Sequence, residues 1–595
     1  MPSVSSFRRS IGCILFFAAG MSGQARKAPG AEPFDGPAEL PRAYVKSSLA
    51  ETPAPGKSIL VSNSGEFARA LEQASCGDTI RLQAGSVFAG NFRFRAKTCD
   101  DQHWIVLRTS APDSDLPPEG TRITPCYAGI GSLPGRPAFP CPAPRNVMAK
   151  IVFDSKGSGP ISFSDGANHY RLIGLEITRD SPGSVIYNLA LRPGQAEGQI
   201  DHLVFDRVWM HGNAQDETTR GIALGNSRYV AVVDSYFSDF HCVAVTGSCS
   251  DSQAIAGGIG GQPMGPYKIV NNFLEASGEN LMFGGGPARL APADIEVRRN
   301  HLFKPLTWKK DAPGFVGGAS GRPFIVKNLF ELKNAQRVLL EGNVLDNSWG
   351  GFSQTGFAIL LTPKNQNNHC PLCKVTDIVI RLNLVRHMGN GMQIATGLSD
   401  SGGASSGGDR FSIHDNIFDD IDGNSNGGFG AFAQISSVVP PLRDVSIVHN
   451  TAFPSRALFM FRGPVDQEKG TNFVFTDNLV GTAGADIFST GGGPENCAFQ
   501  PMRQGPANVL KNCFVKAVAT RNILVGSGGG WPEGNFYPRD PSTVVENFQG
   551  GKAGNYRLCR DGGNCKKTAA FLKASPGKEP GADVDAVNRA VAGVE

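Results

Sequence analysis

The sequence predicts an all-β chain of short strands wound into a solenoid. Two observations carry this prediction: a high content of Gly and Pro, and a recurring Asn-centred frame built on alternating apolar residues. The 595 residues include 74 Gly and 40 Pro. A helical bundle is disfavoured, because Gly costs about 1 kcal/mol and Pro about 3 kcal/mol in a helix interior. The length alone would allow several domains, but a repeat favours one continuous array.

The Asn-centred frame places two apolar residues five and three positions before an Asn, as in Ile295, Val297 and Asn300. Alternation with period two indicates half-buried strands. A repeat with variable insertions indicates a solenoid, and a β-propeller would repeat more evenly. The Asn residues of the frame are Asn272, Asn300, Asn343, Asn383, Asn416, Asn450 and Asn478, and weaker copies place Ser235, Val208 and Leu175 at the same position.

A structural role is expected for these Asn residues. A side-chain amide both donates and accepts hydrogen bonds, so stacked copies can bond one another and the backbone of a turn. We therefore assign them no chemistry.

The frame resembles that of the pectate lyase-like superfamily, in which Asn residues stack at a turn between two sheets. The resemblance covers roughly residues 58 to 590 and implies a single-stranded right-handed parallel β-helix. At its start, Ser64 is a plausible helix N-cap. Phe67, Leu71 and Ala74 share a helix face, so we expect an N-terminal capping helix over the open end of the solenoid.

Four segments are predicted along the chain. Residues 1–25 have the layout of a secretory signal peptide, with Arg8 and Arg9 before the apolar run 11–19. That run is too short to span a membrane, which disfavours the alternative of an anchor. Residues 26–57 are expected to be a Pro-rich linker and 58–595 the β-helix domain, with a loop insertion at about 110–147. We expect a secreted or periplasmic protein.

The cysteines predict six local disulfides. Of 13 Cys, only Cys13 lies in the signal segment, and an even number remains, as an oxidising compartment favours. Zinc binding around His369, Cys370 and Cys373 is the alternative, but no second ligand pair accompanies them. The expected pairs are Cys76–Cys99, Cys126–Cys141, Cys242–Cys249, Cys370–Cys373, Cys497–Cys513 and Cys559–Cys565.

Charge and fold together indicate the class of partner. The net charge of +4 is small for this length, so nucleic-acid binding, which needs a clustered basic face, is not expected. No membrane span is expected either. A long sheet face flanked by loops suits an extended polymer, so the expected partner is an anionic polysaccharide. The oligomeric state is left open.

Glu331 and Lys333 are the main catalytic candidates. They alternate with Phe330 and Leu332, so the two charged side chains should point outward together if the apolar pair faces the core. In a uronic-acid polysaccharide, β-elimination needs a base and neutralisation of the developing negative charge. A Lys with a lowered pKa can be the base, and Lys, Arg or a divalent cation can stabilise the anion. The alternative is a surface ion pair worth under about 1 kcal/mol.

The segment from Lys333 to Val338 is similar to the one that carries the catalytic Lys in the chondroitinase B/alginate lyase family. The similarity implies a polysaccharide lyase and makes Ca²⁺ a possible cofactor; no other cofactor is expected. Where that family has calcium-binding acids, this chain has Asn328 and Val326. No counterpart of the family's catalytic Arg is found near residues 353–356.

Two other functions are kept open beside the favoured lyase. A glycoside hydrolase would need two carboxyl groups about 5–9.5 Å apart, and Glu275, Glu279 and Glu331 are candidates. Glu279, at a loop-to-strand junction, is the third catalytic candidate of the set. The non-enzymatic alternative is a carbohydrate-binding or cell-surface β-helix.

Substrate-binding candidates come from a basic loop and from neighbouring strands. Lys309, with Lys304 and Lys310, could hold an anionic chain while Trp308 stacks on a sugar ring; a buried Trp in an exposed loop is the alternative. Gln393 and Arg462 are expected on the same outer face as Glu331 and Lys333, together with Asn280, Thr362 and Gln434.

Overall fold

A computed structural model describes residues 33–190, 199–247, 249–351, 354–499, 505–560, 565–574 and 577–595. The predicted signal peptide and residues 26–32 of the expected linker lie outside the described residues. Three long parallel sheets form the body of the molecule. The chain passes repeatedly from one sheet to the next, and each strand pairs in parallel with strands one coil before and after it. This is the predicted right-handed parallel β-helix.

The first sheet has fourteen strands in the order of the chain. They are β3 (Ser58–Val61), β4 (Thr79–Leu82), β7 (Ile105–Thr109), β10 (Asn168–Ile173), β12 (Asp201–Asp206), β15 (Arg228–Val233), β18 (Tyr267–Val270), β21 (Ala293–Arg298), β24 (Ala335–Glu341), β29 (Lys374–Arg381), β32 (Gly407–His414), β35 (Arg443–Val448), β38 (Thr471–Thr476) and β41 (Ala517–Thr520).

The second sheet has thirteen strands. They are β5 (Val87–Ala89), β8 (Ala149–Phe153), β11 (Leu175–Arg179), β13 (Trp209–His211), β16 (Tyr236–Ser238), β19 (Phe273–Glu275), β22 (His301–Phe303), β25 (Val344–Ser348), β30 (Leu384–Met388), β33 (Ile417–Ile421), β36 (Thr451–Pro454), β39 (Leu479–Gly481) and β42 (Ile523–Val525).

The third sheet has nine strands. They are β14 (Arg220–Ala223), β17 (Gln253–Gly257), β20 (Glu279–Phe283), β23 (Phe330–Leu332), β28 (Phe357–Leu361), β31 (Asn390–Ala395), β34 (Ala431–Ser436), β37 (Ala457–Arg462) and β40 (Ile487–Ser489).

Three small strand pairs and four helices complete the described elements. The pairs are β1 (Phe34–Asp35) with β2 (Ala38–Glu39), β6 (Phe92–Phe94) with β9 (Ile161–Phe163), and β26 (Gly350–Gly351) with β27 (Gln354–Thr355). The helices are α1 (Ser64–Gln73), α2 (Pro506–Cys513), α3 (Lys566–Ala574) and α4 (Val584–Val591). In the described ranges, no helix is long and apolar enough to cross a membrane.

The core is built from rows of equivalent residues stacked from coil to coil. Ile295 pairs with Val338, which pairs with Ile378 and then Phe411, and all four are fully buried. The alternation seen in the sequence places the apolar residues of each strand inside the solenoid. Every coil therefore buries apolar surface against its neighbours.

The Asn residues form the predicted ladder. The Oδ1 atom of Asn300 accepts both the backbone N–H and the side-chain Nδ2 of Asn272, each at 2.9 Å, and Asn272 Nδ2 also donates to Val232 O at 2.9 Å. The pattern continues past Asn478 to two residues that the frame did not include, Asn522 and Asn535. The structural role assigned to the ladder is confirmed.

Helix α1 covers the first coils as expected, with Phe67 and Leu71 buried. Its N-cap is Asn63, whose side chain accepts from Glu66 N, and Ser64 is the first helical residue. The predicted N-cap was therefore one residue late.

The linker prediction is wrong for residues 34–57, which pack onto the first sheet. Ala38 is fully buried against Leu339 and Val379. Asp35 accepts from Arg381 at 2.6 Å, and Ser47 O accepts from the buried Arg171 at 2.7 Å. This segment belongs to the folded body because its partners lie on several successive coils.

All six predicted disulfides are present. The zinc alternative at Cys370 and Cys373 is wrong, since these two are bonded to each other. The insertion at about 110–147 contains the Cys126–Cys141 bridge. It packs Leu116 and Ile123 against the outer face of the second sheet.

Candidate active site

Five charged side chains meet on the outer side of the third sheet; we call Asp251, Glu279, Lys327, Glu331 and Lys333 the charged cluster. They come from β20 and β23 and from the segments just before β17 and just before and after β23. Glu331 pairs with Met282 of one neighbouring strand and Leu360 of the other. The register of three successive coils therefore assembles the cluster.

Glu331 and Lys333 form the expected outward pair. Phe330 and Leu332 lie in the core, and Lys333 Nζ is 3.0 Å from Glu331 Oε1. The Lys333 side chain is 19% exposed, whereas that of Glu331 is fully buried. Any molecule on this face therefore meets the Lys333 ammonium before it can reach the Glu331 carboxyl.

Glycines of the adjacent coil make room for the Lys333 side chain. A Cβ at Gly284 would lie 2.8 Å from Lys333 Cβ, and one at Gly285 would lie 3.6 Å from Lys333 Cδ. Both glycines have positive φ, 103° and 83°, a conformation that L side chains rarely adopt. The turn after β20 thus fixes the path of the lysine over the sheet.

Glu279 lies at the centre of the cluster. Its Oε2 accepts from Gln253 Nε2 at 2.8 Å, and its Oε1 is 3.5 Å from Lys327 Nζ. Lys327 also donates to Asp251 Oδ1 at 2.8 Å. Glu279 is fully buried, so it organises charge beneath the surface and does not face solvent.

The carboxyl groups of the cluster have different pKa values and therefore differ in protonation. Burial raises the pKa of Glu331 to about 8, and the nearby Glu279 carboxylate adds to the rise. Burial and Glu279 likewise raise the pKa of Asp251 to about 6. For Glu279, burial is outweighed by Lys327, which helps to hold its pKa well below the usual range. At neutral pH, Glu331 is therefore a neutral acid beside an ionised Glu279.

Lys333 is charged in this arrangement. Burial opposes the charge, but Glu331 and Glu279 raise the pKa of Lys333 above its ordinary value. The sequence-based expectation of a lowered lysine pKa is therefore wrong for the resting site. The group that titrates near neutrality is its partner, Glu331.

Calcium does not fit this cluster. The Lys327 ammonium contacts Asp251 and approaches Glu279, so a positive charge already sits where an ion would bind the carboxylates. Of the two positions compared with calcium-binding acids, Val326 is a buried apolar residue and Asn328 donates to Phe357 O. We derive no step through a metal ion here.

Lys304 supports the cluster from below and does not grip a ligand. It is fully buried, and its Nζ donates to Ala276 O at 2.8 Å, to Gly278 O and to Asn280 Oδ1 at 2.7 Å. Asn280 also donates to Leu274 O and Phe303 O. Asn280 therefore does not share the outer face, which corrects the expectation, and Lys304 fixes the turn that delivers Glu279.

Glu275 is excluded as a partner for catalysis. It is fully buried and receives two hydrogen bonds from Arg136, at 2.7 and 2.8 Å. Arg136 reaches it from the loop insertion and also binds Asp239. This ion pair ties the insertion to the second sheet.

Trp308 is not placed for stacking on a sugar. Only 1% of it is exposed, and it packs edge-on against Phe324 and His241. The stacking prediction is wrong because the loop after β22 folds onto the loop that carries Cys242 and Cys249. Lys309 donates to Ser425 O at 2.5 Å and Asn426 Oδ1 at 3.2 Å, so it joins two loops.

Gln393 and Arg462 do lie on strands of the third sheet. Gln393 pairs with Leu360, which pairs with Glu331. Arg462 pairs with Ser436 and follows the row that begins at Lys333, four coils away. At about 4.8 Å per coil, Arg462 is about 19 Å from Lys333 along the face, and its side chain is exposed.

Sequence reasoning missed Asp251, Gln253 and Lys327. Asp251 and Lys327 were not among the candidate residues. Both precede the strand pattern by a few residues and lie outside the alternation that revealed Glu331. Aligning the starts of successive third-sheet strands would have brought them together, since residues just before the strand in neighbouring coils are neighbours in space.

Comparisons with known proteins agree with the architecture only broadly. No protein-family model and no curated protein matches the chain. Among solved structures, a mannuronic acid specific polysaccharide family 6 lyase from human gut microbiota has a TM-score of 0.46 at 10% identity over 90% of this chain and 98% of that one. A family 6 polysaccharide lyase from Pseudopedobacter saltans has a TM-score of 0.37 at 10% identity, covering 84% and 96%.

A tailspike protein of an E. coli bacteriophage, solved with a pentasaccharide, has a TM-score of 0.30 at 10% identity, covering 84% of this chain and 67% of that one. Likeness at this level carries no argument about reaction or substrate. The parallel three-sheet topology itself places the chain among the right-handed parallel β-helix proteins.

Proposed function

We propose that this protein is an exported polysaccharide lyase that cleaves a uronic-acid-containing chain by β-elimination on the outer face of the third sheet. The observation that carries the proposal is the Lys333–Glu331 pair, with a partly exposed ammonium 3.0 Å from a buried carboxyl of raised pKa. Six disulfides are consistent with an oxidising compartment.

The cluster offers positive charge where a uronate carboxylate would bind. The Lys327 and Lys333 side chains are 15% and 19% exposed, and the Glu279 and Glu331 carboxyls beside them are fully buried. The Asp251 carboxyl, at 26% exposed, lies at the edge of the cluster next to Lys327. In the proposed complex, the substrate carboxylate binds both ammonium groups. Fixed positive charge at this point stabilises the enolate that forms when the adjacent proton leaves.

The Lys333–Glu331 pair is the proposed base. One proton leaves the pair as the pH rises through about 8, and the remaining proton can reside on Glu331, which leaves a free amine on Lys333. That amine takes the C5 proton of the uronate. The electrons form the C4–C5 double bond as the C4–O bond breaks, and the departing oxygen takes the proton back from Lys333. Lys333 is the catalytic residue, and Glu331 is a positioning residue that holds the proton.

The hydrolase alternative is weakened by the distance between the carboxyls. Glu279 and Glu331 lie within hydrogen-bonding reach of each other, whereas hydrolases need separations of about 5–9.5 Å. Glu275 is committed to Arg136. No other pair among the three sequence candidates remains.

The test is incubation of the folded protein with alginate, pectate and glycosaminoglycans. A lyase produces an unsaturated uronate, seen by its ultraviolet absorbance, in step with new reducing ends. New reducing ends without that absorbance would mean hydrolysis. Binding without either product would mean a carbohydrate-binding protein, and both results would overturn the proposal.

A further inference from the structure

We propose that Asp101, His169 and His202 form a binding site for a divalent transition-metal ion, Zn²⁺ by preference, on the outer face of the first sheet. The two histidines occupy neighbouring coils, because Asn168 pairs with Asp201 between β10 and β12. Asp101 comes from the loop that leads into β7, two residues after Cys99, which is bonded to Cys76. The three ligand atoms lie within 4.8 Å of one another.

The hydrogen bonds around the histidines fix their tautomers. Asn168 Nδ2 donates to Lys97 O and Gly166 O, which turns Asn168 Oδ1 toward His169 Nδ1 at 2.8 Å. Asp201 Oδ1 lies 2.8 Å from His202 Nδ1. Both acceptors require a proton on Nδ1, so in the neutral imidazoles both Nε2 atoms keep a free lone pair. Such outer partners are typical of metal-binding histidines.

Three acceptor atoms therefore face one another. His169 Nε2 is 3.3 Å and His202 Nε2 is 4.0 Å from Asp101 Oδ1. Two nitrogen lone pairs and a carboxylate oxygen repel one another unless a positive charge lies between them. Ligands of a tetrahedral zinc at about 2.0–2.1 Å stand about 3.3 Å apart. His202, whose side chain is 28% exposed, must therefore approach and turn out of its parallel stack with His169, so that both Nε2 lone pairs point at one ion and three of the four positions are filled.

Packing sets the arrangement of the rings from which an ion would turn His202. The two imidazoles stack at 4.4 Å, His202 stacks on Tyr229 at 4.6 Å, and Trp104 packs edge-on against His169 at 5.0 Å. His169 is buried, whereas the Asp101 side chain is 50% exposed. Lys46 approaches Asp101 Oδ2 at 3.5 Å, but its side chain is 66% exposed and free to move away. An ion here would join the loop before β7 to the two coils that carry the histidines.

The test uses untagged full-length protein freed of metal with a chelator. Zn²⁺ is titrated by calorimetry, and Co²⁺ is titrated as a probe because its visible absorption reports tetrahedral coordination. We expect one equivalent to bind with micromolar affinity or better, and Zn²⁺ to raise the melting temperature. His202→Gln and Asp101→Asn should each weaken binding at least about 10-fold; Asp101 is exposed, so its variant should fold normally.

His103→Gln is the matched control, since His103 lies in the same loop, pairs with Asp100 at 2.8 Å and is outside the three-residue group. Its affinity should be unchanged. Absence of binding by the wild-type protein would overturn the proposal and leave a shared proton between the three groups. One equivalent bound equally well by the Asp101 and His202 variants would place the metal elsewhere and would overturn it too.

Discussion

The Asn ladder and the charged cluster lie on overlapping coils, but they differ in how completely their buried polar groups are hydrogen-bonded. In the ladder, the Asn343 amide donates to Val297 O and to Asn383 Oδ1, each at 3.0 Å, and its own Oδ1 accepts from Asn300. In the cluster, both oxygens of Glu331 and Oε1 of Glu279 are buried without a well-aligned hydrogen-bond donor in the described part of the chain. The nearby ammonium groups of Lys333 and Lys327 and a proton on Glu331 compensate them.

The difference in hydrogen bonding suggests different roles for the two regions. The ladder stabilises the solenoid, and the charged cluster is the candidate functional site. Most buried polar groups in proteins have hydrogen-bond partners, and an exception calls for an explanation. The ladder repeats one residue because every coil needs the same turn. The cluster departs from the repeat, and local departures of this kind are expected at functional sites.

The largest effect should come from the exposed end of the cluster. Lys333→Ala removes the proposed base and should lower kcat/KM for formation of unsaturated product at least about 10²-fold. Lys364→Ala is the matched control, because Lys364 belongs to the next coil and forms an ion pair with Asp400. Equal activity in the two variants would remove Lys333 from the mechanism.

A substitution in the ladder should affect stability. Asn343→Ala deprives the backbone N–H and the Nδ2 group of Asn300 of their acceptor, and unsatisfied buried groups cost about 1–3 kcal/mol each. We expect a loss of about 2–4 kcal/mol in the free energy of unfolding, measured by chemical denaturation. Asn424→Ala, at an exposed loop position, should change it by no more than about 0.5 kcal/mol. Similar losses in both variants would contradict the role of the ladder.

The smallest effect concerns the N-terminal β1–β2 hairpin. Burial opposes the charge on His414, but Asp35 and Asp415 raise its pKa to about 9, and His414 with Arg381 holds the pKa of Asp35 at about 2. The stabilisation from His414 is complete below its ordinary pKa of 6.5 and is lost as the pH rises through about 9. That from Asp35 is present above 3.8 and is lost as the pH falls through about 2.

Hydrogen exchange of residues 34–39 should therefore be slowest between about pH 4 and 6.5, after correction for the intrinsic exchange rate. Asp35→Asn should flatten this dependence while leaving exchange at Asn272, several coils away in the ladder, unchanged. A hairpin that exchanges equally in the wild-type protein and the variant would show that the ion pairs do not hold it.

The solenoid could be predicted because its signals are local and repeated. Each Asn frame is visible within eight residues, and the disulfides join sequence neighbours. The packing of residues 34–57 could not be predicted in this way, because Asp35 and Ala38 find partners more than 300 residues away. The prediction that Trp308 stacks on a sugar failed for a related reason. Its loop packs on another loop, and contacts between loops leave no alternating pattern in the sequence.

Three of the five residues of the charged cluster, Glu279, Glu331 and Lys333, were accessible from the sequence. Glu331 and Lys333 lie in a short alternating strand whose apolar residues reveal which way they point. Asp251 and Lys327 belong to irregular segments, and only the register of successive coils brings them to Glu279. The pKa values of the cluster depend on how deeply each side chain is buried, and the pattern of a single strand does not reveal that depth.

The role of the Lys333–Glu331 pair can be tested by the pH dependence of kcat/KM, with the wild-type protein and Glu331→Gln compared on the polymer that gives the most unsaturated product. We expect the wild-type rate to rise as the pH increases through about 8, because the Lys333–Glu331 pair must lose one proton to act as a base. This rise should be absent near pH 8 in Glu331→Gln. A wild-type rate that is flat or falls through pH 8, or a profile identical in the two proteins, would contradict this role.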